Sequence, residues 1–200
     1  MDRMATVLEL ATHLQRRGWW LTCAESCTGG GIAAALTDVA GSSAWFDRGF
    51  VTYSNLAKQE MLGVSPATLA RCGAVSRETV IEMATGALLR SRAQLGVAVS
   101  GIAGPGGGTR DKPVGTVWIA WACGAETWAS RELYAGDRAQ VRAATVDTAL
   151  KGLLDRARGV GLVDCFLRCG RTTRSVRPCS IGRRTRCRTM RAGSPVPICT

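Results

Sequence analysis

Residues 19–39 read WWLTCAESCTGGGIAAALTDV, and this stretch predicts a buried strand, a tight turn and a small helix. The apolar run at 19–24 has the length of a strand with both faces covered. The glycines at 29–31 favour a turn, and the small apolar residues of 32–39 favour a helix that packs closely on its neighbours. A strand followed by a helix in this way is typical of layered α/β proteins.

The rest of residues 1–158 continues this alternation. Further strands are predicted at 50–53, 95–99, 114–122 and 127–134. Apolar residues at helical spacing predict a first helix that stops at Gly18, a helix capped by Ser76 and a last helix that starts at Asp137. Asn55 is predicted to cap a short helix, and 66–71 forms another. The order predicts a single α/β domain over residues 1–158.

Residues 159–200 differ from the rest in composition. They carry nine arginines, five cysteines and one acidic residue, whereas residues 1–158 have 17 lysines and arginines against 14 acidic residues. Most of the net charge of +11 therefore lies in this tail. Without a sustained apolar period it cannot offset the entropy of ordering, so we predict an unstructured tail. Three explanations stay open: an inert extension, a functional segment, or a GC-rich gene read in a shifted frame.

Composition excludes several classes of protein. Hydrophobic residues make up 46% of the chain and charged residues 20%, which is enough to bury a core. No apolar run reaches the roughly 18 residues that cross a bilayer, and the first residues lack the pattern of a signal peptide, so we expect a cytoplasmic protein. A single histidine, His13, and no Cys-x-x-Cys pair lead us to expect no metal and no cofactor.

Ser26 stands between the first predicted strand and the glycine-rich start of the next helix. There a hydroxyl is exposed above the carboxyl end of the strand, and backbone N–H groups point into the same space. A nucleophile needs both features, because it must reach a carbonyl carbon and stabilise the oxyanion that forms. Two other interpretations stay open: Ser26 or Thr28 caps the helix, or Gly29 and Gly30 hold a phosphate without catalysis.

Lys58 is unusual because the chain has three lysines and 23 arginines. Arginine stays protonated, whereas a partly buried lysine can lose its proton near neutral pH and act as a base. Tyr53 lies five residues earlier, at the predicted end of its strand, with a phenol that could hold or relay a proton. A Ser/Lys/Tyr group would support hydrolysis without histidine or metal. The alternative is that Tyr53 only packs at the strand end and Lys58 is a solvated charge.

Five motifs follow one another in an order that resembles a known family. They are AESCTGG at 24–30, AGSSAWF at 40–46, GFVTYSN at 49–55, SGIAGP at 100–105 and KPVGTV at 112–117. Over residues 5–156 the chain is similar to the CinA C-terminal domain family, the nicotinamide-nucleotide amidohydrolases. The resemblance implies a three-layer α/β/α sandwich.

The resemblance also implies a reaction. Nicotinamide mononucleotide would be deamidated without a metal to nicotinate mononucleotide and ammonia, a step of pyridine-nucleotide salvage. Ser26 would attack the carboxamide, Lys58 would take the serine proton, and Tyr53 would mediate or orient the transfer. Water would then hydrolyse the nicotinoyl ester.

Candidates for substrate binding surround the predicted nucleophile and the 101–108 loop. The N–H groups of Gly29 and Gly30 are candidates for contacts with an oxyanion or a phosphate, two roles that the sequence does not separate. The loop, with Arg110 or Lys112, is a candidate wall of the nucleotide pocket. The predicted binding set is Thr28, Gly29, Gly30, Gly101, Gly104 and Arg110.

The rival function is a non-catalytic, regulatory nucleotide-binding module that keeps the pocket. The intact trio Ser26, Tyr53 and Lys58 favours the enzyme, because a binding module has no need of it. The expected partner is a small-molecule nucleotide, and a homo-oligomer stays open. Nucleic-acid binding would rest on the basic tail alone, which lacks aromatic residues for base stacking apart from Phe166.

Overall fold

The computed structural model describes residues 2–159, and the predicted tail lies outside the described residues from position 160 onward. Within the described part, five strands form one sheet: β1 (Leu21–Glu25), β2 (Phe46–Val51), β3 (Leu95–Gly101), β4 (Thr116–Cys123) and β5 (Glu126–Leu133). The α-helices are α1 (Arg3–Arg17), α2 (Gly31–Thr37), α3 (Asn55–Leu62), α4 (Pro66–Cys72), α5 (Arg77–Leu89) and α6 (Arg138–Ala157). No helix among these residues is long and apolar enough to pass through a bilayer.

The strand order is β2-β1-β3-β4-β5, and β1 pairs in parallel with both β2 and β3. Strand β4 runs antiparallel to β3 and β5. The chain leaves β1 towards β2 on one side and later returns to β3 on the other. Such a reversal opens a crevice at the carboxyl ends of the strands, the usual ligand site of open α/β sheets. Ser26 follows β1 directly at this point.

Helices cover both faces of the sheet. Helices α1, α2 and α6 pack on one face, around buried residues such as Leu14, Leu36 and Leu150. Helices α3, α4 and α5 cover the other face, where Leu62 and Met83 belong to a second buried cluster. The prediction of a three-layer α/β/α sandwich is therefore confirmed.

Local signals placed several helix ends correctly. Gly18 ends α1 in the left-handed conformation, with φ of 63°, which costs glycine little because it has no Cβ. Ser76 Oγ accepts the N–H of Thr79 at the start of α5. Asp137 accepts the N–H of Gln140, whose side chain in turn accepts the N–H of Asp137, and this reciprocal pair starts α6.

Two predicted boundaries were wrong around the second strand. Strand β2 spans Phe46–Val51, so it begins earlier than predicted and ends before Tyr53. It is an edge strand with exposed positions, so its polar residues Asp47 and Arg48 hide the apolar pattern of a buried strand. Asn55 is the first residue of α3, and the cap is Ser54, whose Oγ accepts the N–H of Ala57 at 3.0 Å.

Candidate active site

A cavity of about 240 Å³ lies at the carboxyl ends of β1, β2 and β3. Ser26 lines it from the end of β1, where its N–H donates to Val99 O at 3.1 Å and its side chain is 9% exposed. The other walls come from the segment that joins β2 to α3, from residues 74–75, from the end of β3 and from the start of α6. The cavity thus occupies the crevice that the strand order predicts.

Lys58 reaches Ser26 from α3, on the opposite side of the cavity. Its Nζ donates to Ser26 Oγ at 3.1 Å and to the carbonyl of Thr52 at 2.8 Å. The side chain is 1% exposed, although lysine is almost never buried unless it is paired. Burial lowers the pKa of Lys58, and the neighbouring Cys27 thiol opposes that shift. The structure therefore brings two of the predicted catalytic residues into direct contact.

Lowering the pKa of Lys58 has a chemical consequence for the contact with Ser26. A charged ammonium donates to Oγ, whereas a neutral amine offers a lone pair to the serine hydroxyl over the same 3.1 Å. The second N–H bond, to the carbonyl of Thr52, holds the amine in place in either state. The pair can therefore move the serine proton without histidine or metal.

Cys27 places a second nucleophilic side chain on the cavity wall directly beside Ser26. Burial raises the pKa of its thiol to about 11, and the charge of Glu25 adds to this shift. At neutral pH the thiol is protonated and a poor nucleophile. The Ser26 hydroxyl differs from this thiol in having a buried amine beside it, the Nζ of Lys58 at 3.1 Å.

Tyr53 lies at the mouth of the cavity, with 63% of its surface exposed. Its phenol oxygen accepts a hydrogen bond of 3.0 Å from Arg138 Nη2, and Arg138 Nη1 donates to Gly104 O at 3.0 Å. Arg138 therefore links the start of α6, the loop after β3 and the segment before α3. Tyr53 shares the cavity with Ser26 and Lys58, but its hydrogen bond is with Arg138.

The turn after Ser26 is held by Glu25. The hydroxyl of Thr28 and the N–H of Gly30 both donate to the Glu25 carboxylate, at 2.6 and 3.0 Å. The N–H of Gly29 donates to Ser26 O at 3.1 Å. Thr28, Gly29 and Gly30 are thus engaged within the turn and do not line the cavity. A contact between these groups and a substrate would require exchange of these bonds, and it stays a prediction.

The remaining predicted binding residues differ in whether they line the cavity. Gly101 lines the cavity at the end of β3, where a Cβ would come within 2.9 Å of Thr116 O. Gly104 contributes its carbonyl to Arg138 rather than a cavity surface. Arg110 is exposed in the following loop and is absent from the cavity wall. Their roles towards a substrate stay predictions.

Comparison with known proteins settles the family. A family model described as the CinA C-terminal domain matches residues 4–157. This chain belongs to the CinA C-terminal domain family. The nicotinamide-nucleotide amidohydrolase PncC of Enterobacter agglomerans is 57% identical over 136 residues, 68% of this chain and 83% of that protein. The PncC of Pseudomonas putida is 52% identical over 155 residues, 77% of this chain and 97% of that protein.

A solved structure shares the fold of this CinA C-terminal domain. The competence/damage inducible protein CihA from Agrobacterium tumefaciens superposes with a TM-score of 0.75 and is 50% identical, over 77% of this chain and 94% of that one. Ser26, Tyr53 and Lys58 lie within the range that the family model matches. No group of three or more histidine, cysteine, aspartate or glutamate residues within positions 2–159 could hold a metal ion.

Two residues near the site of this CinA C-terminal domain were not predicted from its sequence. Arg138 directly follows the cap of α6, and its sequence context indicates an ordinary surface charge. Only the folded structure shows its contact with Tyr53. Glu25 stands within the motif AESCTGG, yet its burial and its bonds appear only in three dimensions. An acidic residue buried in the strand before the predicted nucleophile was the available signal for Glu25, because a buried carboxylate needs partners.

Proposed function

We propose that this chain hydrolyses the carboxamide of nicotinamide mononucleotide to nicotinate mononucleotide and ammonia, with Ser26 as nucleophile and Lys58 as base. The observation that carries the proposal is the buried contact of 3.1 Å between Lys58 Nζ and Ser26 Oγ in the cavity. The substrate is inferred from the PncC relatives, which cover the same domain at 52–57% identity. The reaction belongs to pyridine-nucleotide salvage.

Proton transfer between Ser26 and Lys58 drives both halves of the reaction. Neutral Lys58 takes the serine proton as Oγ attacks the carboxamide carbon, and the resulting ammonium then protonates the departing nitrogen, which leaves as ammonia. Lys58 next takes a proton from water, whose oxygen attacks the nicotinoyl ester. The proton returns to Oγ, and nicotinate mononucleotide is released.

The tetrahedral intermediate needs hydrogen-bond donors close to Ser26. The backbone N–H of Cys27 donates to no other residue in the described part of the chain, and Cys27 lines the cavity beside Ser26. The N–H groups of Gly29 and Gly30 are instead engaged in the turn. The N–H of Cys27 is therefore the oxyanion donor in our proposal.

Arg138 and Tyr53 serve the nucleotide end of the substrate. Arg138 is a second cation on the cavity wall, at its mouth, where an exposed phosphate can be reached. By donating to the Tyr53 oxygen it leaves the phenol proton available to the substrate or to a bound water. This arrangement supports a role for Tyr53 in orienting the substrate beside the Ser26–Lys58 pair.

The test is ammonia release from nicotinamide mononucleotide with a metal chelator present. We expect turnover by the wild type, none above background from Ser26→Ala, and near wild-type turnover from Ser43→Ala, a matched change at an exposed serine. Binding of the nucleotide by a wild type that releases no ammonia would support the rival regulatory module. Normal ammonia release by a folded Ser26→Ala protein would refute the covalent mechanism.

A further inference from the structure

The side chain of Glu25 is completely buried, and every partner it has lies within its own strand, turn and helix. Oε2 accepts hydrogen bonds from Thr28 Oγ1 at 2.6 Å, Gly30 N at 3.0 Å and Ile32 N at 3.1 Å. Oε1 accepts from Ala33 N at 2.9 Å and from Cys23 Sγ at 3.6 Å. The mechanism proposed above uses none of these bonds.

These contacts make Glu25 the N-terminal cap of α2, although it lies in β1. A helix begins with N–H groups that have no partner within the helix, and the residue at the cap position of α2, Gly30, has no side chain to satisfy them. The Glu25 carboxylate satisfies the N–H groups of Ile32 and Ala33 instead. The Glu25 side chain therefore joins the end of β1 to the first turn of α2.

Residues 26–30, between the end of β1 and the start of α2, begin with the proposed nucleophile Ser26. At the strand end, the backbone of Glu25 is also held, because the N–H of Thr52 donates to its carbonyl at 2.8 Å. Thr52 is the residue whose own carbonyl accepts from Lys58 Nζ. The Ser26 hydroxyl and the Lys58 amine are thus both connected to the backbone of Glu25. Ser26 is the next residue in the chain, and the Lys58 amine is connected through its hydrogen bond to Thr52.

We propose that Glu25 is a positioning residue for Ser26. Its carboxylate holds the 26–30 turn so that Oγ stays in contact with Lys58. Its bonds to the hydroxyl of Thr28 and the N–H of Gly30 fix the course of the backbone that follows the nucleophile. The inference rests on the proposed function only in taking Ser26 as the nucleophile.

Glu25→Gln changes this arrangement without changing its size. The amide keeps one oxygen but presents an NH₂ group where the carboxylate accepts N–H groups, so two donors face each other. The turn must shift to separate them. A misplacement of about 1 Å at a reacting group can cost on the order of 100-fold in rate.

Glu82 provides a matched control on another helix. Its Oε2 accepts the N–H of Ser65 at 2.7 Å and its Oε1 accepts Thr68 Oγ1 at 2.6 Å, at the start of α4. It does not line the cavity. Glu82→Gln therefore damages the same kind of carboxylate cap and should lower the melting temperature, but it leaves the turn at Ser26 alone.

The experiment measures acylation of Ser26 by p-nitrophenyl acetate, followed by intact mass and peptide mapping at a temperature where each variant is folded. Oγ forms an ester with the acetyl carbon, p-nitrophenolate leaves, and the serine proton passes to Lys58. We expect the Ser26-specific rate, after subtraction of the Ser26→Ala background, to fall about 100-fold in Glu25→Gln. In Glu82→Gln it should stay within about threefold of wild type, the scale of a site without contact to the chemistry.

A second pair of variants covers the case in which Glu25→Gln does not fold. Thr28→Val removes one hydroxyl donor to the Glu25 carboxylate, and Thr68→Val removes the matching donor to Glu82, away from the cavity. We expect slower acylation in Thr28→Val and a nearly normal rate in Thr68→Val. Equal rates in the folded Glu25 and Glu82 variants, or in the two threonine variants, would overturn the proposal, as would a wild type whose Ser26 is not acylated.

Acylation needs no nucleotide, so its outcome is separable from the proposed function. If Ser26 is acylated and slowed by the Glu25 change, while nicotinamide mononucleotide yields no ammonia, the substrate assignment fails and the role of Glu25 stands. If ammonia is released and the Glu25 change has no effect on acylation, the substrate assignment stands and the role of Glu25 fails.

Discussion

Lys58 Nζ lies 3.1 Å from Ser26 Oγ, and the same amine donates a second hydrogen bond, of 2.8 Å, to the carbonyl of Thr52. Both partners are uncharged, so neither compensates a buried ammonium as a carboxylate would. Desolvation therefore lowers the pKa of Lys58, and the neutral amine becomes accessible closer to working pH. This geometry supports the proposal that Lys58 is the base for Ser26.

Replacing Lys58 tests whether it acts as a base. Because its pKa is lowered, we expect activity to rise with pH along a limb set by Lys58, at lower pH than an exposed lysine would give. Lys58→Arg keeps the charge but cannot deprotonate in this range, so kcat should fall at least about 100-fold, as in Lys58→Ala. Substantial turnover by Lys58→Arg with the same pH limb would make Tyr53 the first candidate for the base.

Arg138 and Tyr53 should affect different kinetic parameters. Arg138→Met removes a charged donor at the cavity mouth, and we expect the KM for nicotinamide mononucleotide to rise about 10- to 100-fold. Tyr53→Phe removes one phenol, so kcat should fall roughly tenfold with a smaller change in KM. Arg16→Met, at the exposed end of α1, is the control. A normal KM in Arg138→Met would exclude the phosphate contact.

Gly86 sets how closely α5 approaches α3, the helix that carries Lys58. A Cβ at this position would overlap the carbonyl group of Leu62, which also accepts a hydrogen bond of 2.9 Å from Arg90. We expect Gly86→Ala to lower the free energy of unfolding by about 1–3 kcal/mol, because the backbone of α3 must move. Urea unfolding measures this, with Thr85→Ala on the exposed face of α5 as the control. Unchanged stability would mean that the two helices can separate freely.

Removal of residues 160–200 should leave the domain intact. The buried core extends from Val7 to Ala157, and the last turn of α6 is completed by Arg158, whose N–H donates to Leu154 O and whose side chain donates to Glu9. We expect the chain that ends at Gly159 to melt within about 2 °C of full length and to keep its turnover. A much lower melting temperature would contradict the prediction of an unstructured tail.

The sequence by itself determined the elements whose signals are local. The end of α1 at Gly18 and the caps of α5 and α6 at Ser76 and Asp137 were predictable, because a cap depends on the backbone and side chain of a few adjacent residues. The alternation of strands and helices likewise specified the layered α/β fold. Ser26 and Lys58 were predictable as candidates from residue type and from the motifs around them.

Tertiary structure alone decided which of these groups meet. The edge strand β2 has too few buried positions to show its bounds, and Arg138 reaches Tyr53 across 85 residues of chain. The N–H groups of Gly29 and Gly30 looked free in the sequence, but the folded turn engages them with Ser26 and Glu25. Hydrogen bonds of this kind depend on distances that are set by packing between elements. Burial of Lys58, which lowers its pKa, follows from the same packing. A local sequence pattern therefore predicts neither the hydrogen bonds nor the burial.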